Sequence, residues 1–371
     1  MTSTVRRPSP SLALGASLGT AFGLLAVTTP GAMATAPSTY HQVNLVSDVP
    51  GRAQVTDPHL VNPWGAAYLG TSPLWVSDNG PGLATLYSGA VHGSRQTVLP
   101  LVVRIPGGAP TGQVSNPTMS FVIRSRGAMA PARFLFVGET GHLSGWAPTV
   151  GGSAASPSTH AVDAVVTRGA VEKGVAMGQT AHGPRLYVAN FSGARLDVYD
   201  GAFHRVRVPG AFSDARMPRG YAPFNVMVAG TKVYVSYAQQ DKQRKDEVAG
   251  AGRGRVDIFT LDGMLLRRLH AHRVLNAPWG MTVAPSGFGT FSGDLLVGNF
   301  GDGRINAFDP SSLAFRGSLR TSGGKALAID GLWALLRGNG TEGSTHDVLF
   351  TAGPQDETHG LLGLLEANRR R

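Results

Sequence analysis

The sequence predicts an all-β chain closed as a six-bladed β-propeller of four-stranded antiparallel blades. Three observations carry this. One motif recurs at a separation of 109 residues, short apolar runs end in Asn, Asp or Gly, and the 371 residues include 50 Gly and 24 Pro. Gly and Pro at that density suit short strands and tight turns rather than helices. Hydrophobic residues make up 42% of the chain, enough for a sizeable core.

The first segment reads as an address. Arg6 and Arg7 precede an uncharged apolar stretch at 12–28, and Ala32-Met33-Ala34 supplies an A-x-A cleavage signal. This is the three-part pattern of a secretory signal peptide, so cleavage after Ala34 and a secreted, extracellular chain are expected. Gly15-Ala16-Ser17-Leu18-Gly19 matches a hydrolase nucleophile motif, but inside this leader it is a chance match. No later stretch of 18 apolar residues occurs, so no membrane span is expected after cleavage. The expected division is a signal peptide at 1–34, one propeller at 35–366 and a basic tail at 367–371.

The repeat comes next. Asn190-Phe191-Ser192-Gly193 opens a segment that parallels the one opened by Asn299-Phe300-Gly301-Asp302, and each follows an apolar strand, at 186–189 and 295–298. Their separation fits two blades of about 54 residues each. Weaker copies begin at Leu74, Phe134, Val233 and Val348. A second series marks unit starts: Asn62-Pro63-Trp64-Gly65, Asn116-Pro117, Glu172-Lys173-Gly174, Ala222-Pro223-Phe224-Asn225, Asn276-Ala277-Pro278-Trp279-Gly280 and Asp330-Gly331-Leu332-Trp333. Six units fill the chain and leave no room for a separate domain. The rival is a seven-bladed ring with a unit hidden in 86–131. Residues 41–46 precede the first inner strand and partly alternate, so they are expected to pair as the outer strand of the last blade, near 361–366. The polar stretch 239–254 reads as a solvated insertion in the fourth blade, with a ligand-covering lid as the alternative.

Composition excludes several functions. With no Cys there are no disulfides, thiolate metal sites or cysteine nucleophiles. The formal charge is +10, but the Arg residues are scattered, with short clusters only at 205–207, 242–245, 267–273 and 369–371. A nucleic-acid binder shows a basic stripe with interleaved aromatics, so no specific nucleic-acid partner is expected. Net charge of this sign would assist adhesion to anionic polymers.

Residues 44–48, 56–65, 75–80, 220–225, 295–310 and 329–333 resemble a bacterial family of uncharacterised exported proteins, some carrying a PEP-CTERM sorting tag. The resemblance implies secretion and a propeller-like fold, with no established activity. The tag itself is missing, since Leu365 is followed only by Glu-Ala-Asn-Arg-Arg-Arg. More distantly, the blade pattern is similar to NHL-type and gluconolactonase-like (SMP-30) six-bladed propellers, a likeness of fold from which function is analogy.

Candidate chemistry sits where loops meet one mouth of the channel. Asp78, Asn79, Asn225, Asp330, Asp356 and His359 are the candidate ligand-binding residues of that rim. Glu139, Asn190 and Asn299 are the candidate metal ligands, because carboxylates and amides converging from several blades suit a hard cation such as calcium. The bland alternative is that Asn, Asp and Gly serve the strand-to-strand turns. Asp57 and His59 are further acid–base candidates. Trp64, Trp279 and Trp333 read as blade packing rather than sugar-stacking platforms. Two functions compete: a monomeric binding scaffold for an extracellular protein or polysaccharide, and a calcium-dependent lactonase or hydrolase of gluconolactonase type.

Overall fold

The computed structural model describes residues 38–269 and 273–368. The expected signal peptide and the last three residues of the basic tail lie outside the described residues. Among those described, helix is confined to two 3-10 turns, Val91–Gly93 and Gly289–Phe291, and no helix is long and apolar enough to cross a membrane.

Six antiparallel sheets make the blades. Their inner strands are Pro63–Ala67, Pro110–Ser115, Glu172–Thr180, Tyr221–Ala229, Pro278–Val283 and Leu332–Arg337. Each inner strand packs against the next, and the sixth packs against the first, so the ring is closed. The second strands, such as Leu74–Asp78, Phe134–Gly138 and Leu295–Asn299, are buried along their whole length. That is why they read as apolar runs, each being covered by a blade on both faces.

Closure comes from the N-terminal strand. Tyr40–Ser47 pairs antiparallel with Leu361–Ala367 as the outer strand of blade 6, with His41 opposite Glu366 and Gln42 opposite Leu365. The pairing predicted for 41–46 is therefore the one observed. It ties the chain's two ends together and covers the edge of the last blade. Tyr40 anchors the strand: its ring lies 4.8 Å from Phe288, and its hydroxyl donates to the Phe288 carbonyl at 3.1 Å.

Two readings need correction. Asn116-Pro117 does not open the second blade, because it follows the inner strand Pro110–Ser115. The opening is Ala109-Pro110-Thr111-Gly112, and an inserted hairpin, Val122–Ser125 with Ala128–Pro131, displaced the apparent spacing. The same interval leaves no hidden blade. Residues 86–131 hold the outer part of blade 1, the inner strand of blade 2 and this hairpin.

Neighbouring inner strands run too close at Gly65 and Gly112 for a side chain to fit there. A Cβ on Gly65 would lie 2.5 Å from the Thr111 carbonyl oxygen, and one on Gly112 2.6 Å from the Val175 amide nitrogen. Glycine here lets neighbouring inner strands approach. A cavity of about 220 Å³ remains along the axis, lined by these glycines, Asn225, Met177 and Met281.

Candidate functional site

The same irregularity occurs in all six inner strands. In five blades the opening residue pairs with the end of the second strand and the register then shifts, after Pro63, Pro110, Glu172, Pro278 and Leu332; in the fourth the shift comes after Pro223, the third residue of the inner strand. A bulge of this kind bends a strand and re-aims a side chain. The residues at the bulges are Trp64, Thr111, Lys173, Phe224, Trp279 and Trp333. Four of these are aromatic and share one buried cluster with Phe191 and Phe300. Trp64 stacks on Trp333 at 3.4 Å, and Phe300 stacks on Trp333 at 4.0 Å. These tryptophans pack on one another below the surface and offer no open face to a sugar.

Lys173 is the one charged residue in the series, and its side chain is 1% exposed. Its ammonium lies 4.8 Å from the centre of the Trp64 ring. It donates to Glu139 Oε1 at 2.7 Å and lies 3.5 Å from Asp246. Glu139 also accepts from Asn79 at 3.1 Å. Asn62 joins the network, donating to Glu357 at 2.6 Å and to Asn79 at 3.4 Å, and accepting from Trp333 Nε1 at 3.0 Å. Trp279 Nε1 donates to the Lys173 carbonyl at 3.0 Å. Trp64 Nε1 is buried without a hydrogen-bond partner. Blades 1, 2, 3, 4 and 6 thus all place polar groups at one mouth.

Blade 4 supplies its part through the segment 240–253, between strands Lys232–Gln239 and Gly254–Thr260. Gln240 donates to the Phe191 carbonyl of blade 3 at 2.6 Å, and Gly250 donates to Asn276, ahead of blade 5, at 2.5 Å. The segment is therefore a strap tied to both neighbours, and Asp246 reaches Lys173 from it. Residues 242–246 are exposed, as expected of a solvated insertion, while the ends of the segment are tied to the neighbouring blades.

The electrostatics are one-sided. Four carboxylates, Glu139, Asp246, Glu247 and Glu357, act on one ammonium. Burial opposes the charge on Lys173, but Glu139, Glu247 and Asp246 more than offset it and hold the ammonium above its ordinary value. Burial pushes Glu247 up to about 7 despite the pull of Lys173. Glu357 is also raised by burial, against its bond from Asn62 and the attraction of Lys173.

The predicted residues divide between this network and other duties. Asn79 and Glu139 belong to it. Asp78 is fully buried, accepts from Thr85 at 2.7 Å, and is held well above the usual carboxylate range by burial. Asn225 lines the axial cavity and links blades by donating to the Trp279 carbonyl at 2.8 Å. Asp330 accepts from the Gln355 amide at 2.9 Å, and Asp356 is exposed in the same loop. His359 Nδ1 lies 2.7 Å from Asp48, and His59 Nδ1 lies 3.0 Å from Asp57.

Asn190 and Asn299 are engaged inside their own blades. Asn190 donates to Asp197 at 2.7 Å and accepts from Gly193 at 2.9 Å. Asn299 donates to the Val274 carbonyl at 2.8 Å and accepts from the Asn276 amide at 3.1 Å. Glu139 is occupied by Lys173. These bonds leave the three groups poorly disposed to hold calcium, and no group of three or more acidic or His residues suited to a metal occurs among the described residues. Lys173, Asn62 and Glu247 were missed as site residues. The signal was available: a lysine stands at the repeat position that holds Trp or Phe in four other blades.

No family model matches the chain. Uncharacterized protein R648 of Acanthamoeba polyphaga mimivirus is 33% identical over 326 residues, spanning 86% of this chain and 78% of that protein. Uncharacterized protein L690 of the same virus is 31% identical over 313 residues, spanning 83% and 81%. Among solved structures, a structural genomics protein of unknown function from Bacteroides thetaiotaomicron superposes with a TM-score of 0.51 at 10% identity, covering 89% of this chain and 76% of that one. Streptogramin B lyase follows at a TM-score of 0.48 and 10% identity, covering 90% and 98%. A putative gluconolactonase lies further off at 0.39 and 17% identity, covering 70% and 89%. These likenesses concern the fold alone. The relatives are viral, so nothing here supports membership of a bacterial exported family or a link to its sorting tag. At this identity and coverage, the chain belongs to the family of the uncharacterised mimivirus proteins R648 and L690.

Proposed function

We propose that the chain is an exported, monomeric binding module whose strapped mouth takes a cationic group of an extracellular polymer. The carrying observation is the surplus of negative charge around Lys173. Glu139 holds the one resident ammonium at 2.7 Å and Asp246 lies 3.5 Å from it, while Glu247 and Glu357 stand close enough to feel the same charge. A second cation entering the mouth would relieve that surplus. The strap would close over the ligand; the rim residue Asp356 lies in the loop that carries Glu357, and Asp330 accepts from the Gln355 amide of that loop. Export rests on the leader pattern at 1–34 alone.

The test is a calorimetric titration of the purified protein with chitosan oligomers, dextran and alginate at two salt concentrations. Saturable binding of the amino-bearing oligomer is expected, with weaker binding of neutral dextran. Alginate binding through net charge alone would collapse with salt. A preference for alginate that survives high salt would sink the reading.

A further inference from the structure

A second cavity, of about 500 Å³, opens where the edge of blade 3 meets blade 4. The mouth chemistry makes no use of it. Its floor is Leu196, Val198, Phe212 and Leu261, the half-buried margin of the core between those blades. Tyr187 holds the floor in place by donating to the Leu261 carbonyl at 2.8 Å. The walls are basic, with Arg185, Arg205 and Arg207 all lining the cavity. Arg205 is committed with Arg195 to Asp197, whose buried carboxylate is neutralised between the two guanidiniums. Arg185 and Arg207 form no salt bridge among the described residues, and Asp262 is the only other acid lining the cavity. The basic cluster at 205–207 therefore has a local geometry beyond the chain's general Arg content.

We propose that this cavity binds a small amphipathic carboxylate. The anionic head would sit on the guanidiniums of Arg185 and Arg207, which suit a planar carboxylate. The hydrocarbon body would lie on the Leu196 and Leu261 floor. A purely ionic site would not need that floor, and a purely apolar groove would not gather these arginines.

The probe is octanoate, titrated into the purified full chain at constant ionic strength, with sulfate as the head group lacking a body. Saturable octanoate binding is expected, weakened at least tenfold in the Arg185→Ala/Arg207→Ala double variant. Ala211→Trp, which fills the cavity without changing charge, should weaken it similarly. Asp246→Ala at the mouth should leave it unchanged, and melting curves would confirm that each variant is folded. Absence of saturable binding, binding indifferent to both cavity variants, or sulfate competing as well as octanoate would each overturn the proposal.

Discussion

Blades 3 and 5 carry the two strongest copies of the repeat and part most sharply where their inner strands open. Their second strands, Gly183–Asn190 and Leu295–Asn299, both end in an Asn bonded within its own blade. The next residue is Phe191 in one and Phe300 in the other, and both pack into the mouth cluster. Both inner strands bulge at the same place. At that bulge blade 5 carries Trp279, whose indole is buried and bonded, whereas blade 3 carries Lys173. What the blades share builds the scaffold. Where they differ, a charge is buried that closure of the ring does not require, and acids from three other blades gather on it.

Making blade 3 resemble blade 5 tests this most severely. Lys173→Met should cost about 3 kcal/mol at pH 8, because Glu139 and Glu247 lose their buried counter-charge. Exposure of Asp246, at 70%, keeps the figure below that of a fully buried pair. The loss should shrink toward pH 5 as Glu247 takes up a proton. Denaturant melts at the two pH values would show it, and a pH-independent loss would mean that shape alone was removed.

Glu172, beside Lys173, is the next place where the blades part, since blade 5 has Pro278 there. Both Glu172 carboxylate oxygens are buried without partners, and burial raises the group from 4.5 to about 8. A raised carboxyl favours the folded state fully below about pH 4.5 and loses that advantage as pH rises through about 8. Glu172→Gln should therefore stabilise by about 2 kcal/mol at pH 8.5 and by almost nothing at pH 5. A destabilised variant at pH 8.5 would show that the carboxylate has a partner of its own.

Gly112→Ala addresses what the blades have in common, the tight axis. Its Cβ would meet the Val175 amide at 2.6 Å, so a loss of about 1–2 kcal/mol is expected, read from the denaturation midpoint. Asp246→Asn should move stability least, by under 1 kcal/mol. It should still speed hydrogen exchange along the strap, where 240–253 is anchored mainly at its ends. Unchanged exchange would mean that the Lys173 contact does not hold the strap down.

The scaffold was legible because its causes are local. Strands buried on both faces read as apolar runs, and the leftover segment at 41–46 matched a missing outer strand. The second blade was misplaced because a ten-residue hairpin, Val122–Ser125 with Ala128–Pro131, entered between its first two strands. The site was harder to read for a different reason. Lys173 meets Glu139 from blade 2 and Asp246 from blade 4, neighbours in space that no spacing along the chain announces. Asn190 and Asn299 were ambiguous for a local reason. The amides that could coordinate a cation are also those that close a strand-to-strand turn, and here their bonds run to the turn.

The central claim is that the charged mouth is kept for a ligand rather than for stability. The direct measurement is calorimetric titration of chitosan oligomers into the wild type and into the Asp246→Ala/Glu357→Ala variant, with thermal melts alongside. Neither side chain is fully buried, so the variant should melt within a few degrees of the wild type. The account predicts that it binds the oligomer at least tenfold more weakly. Equal binding by the two proteins would contradict it and leave the mouth a structural plug.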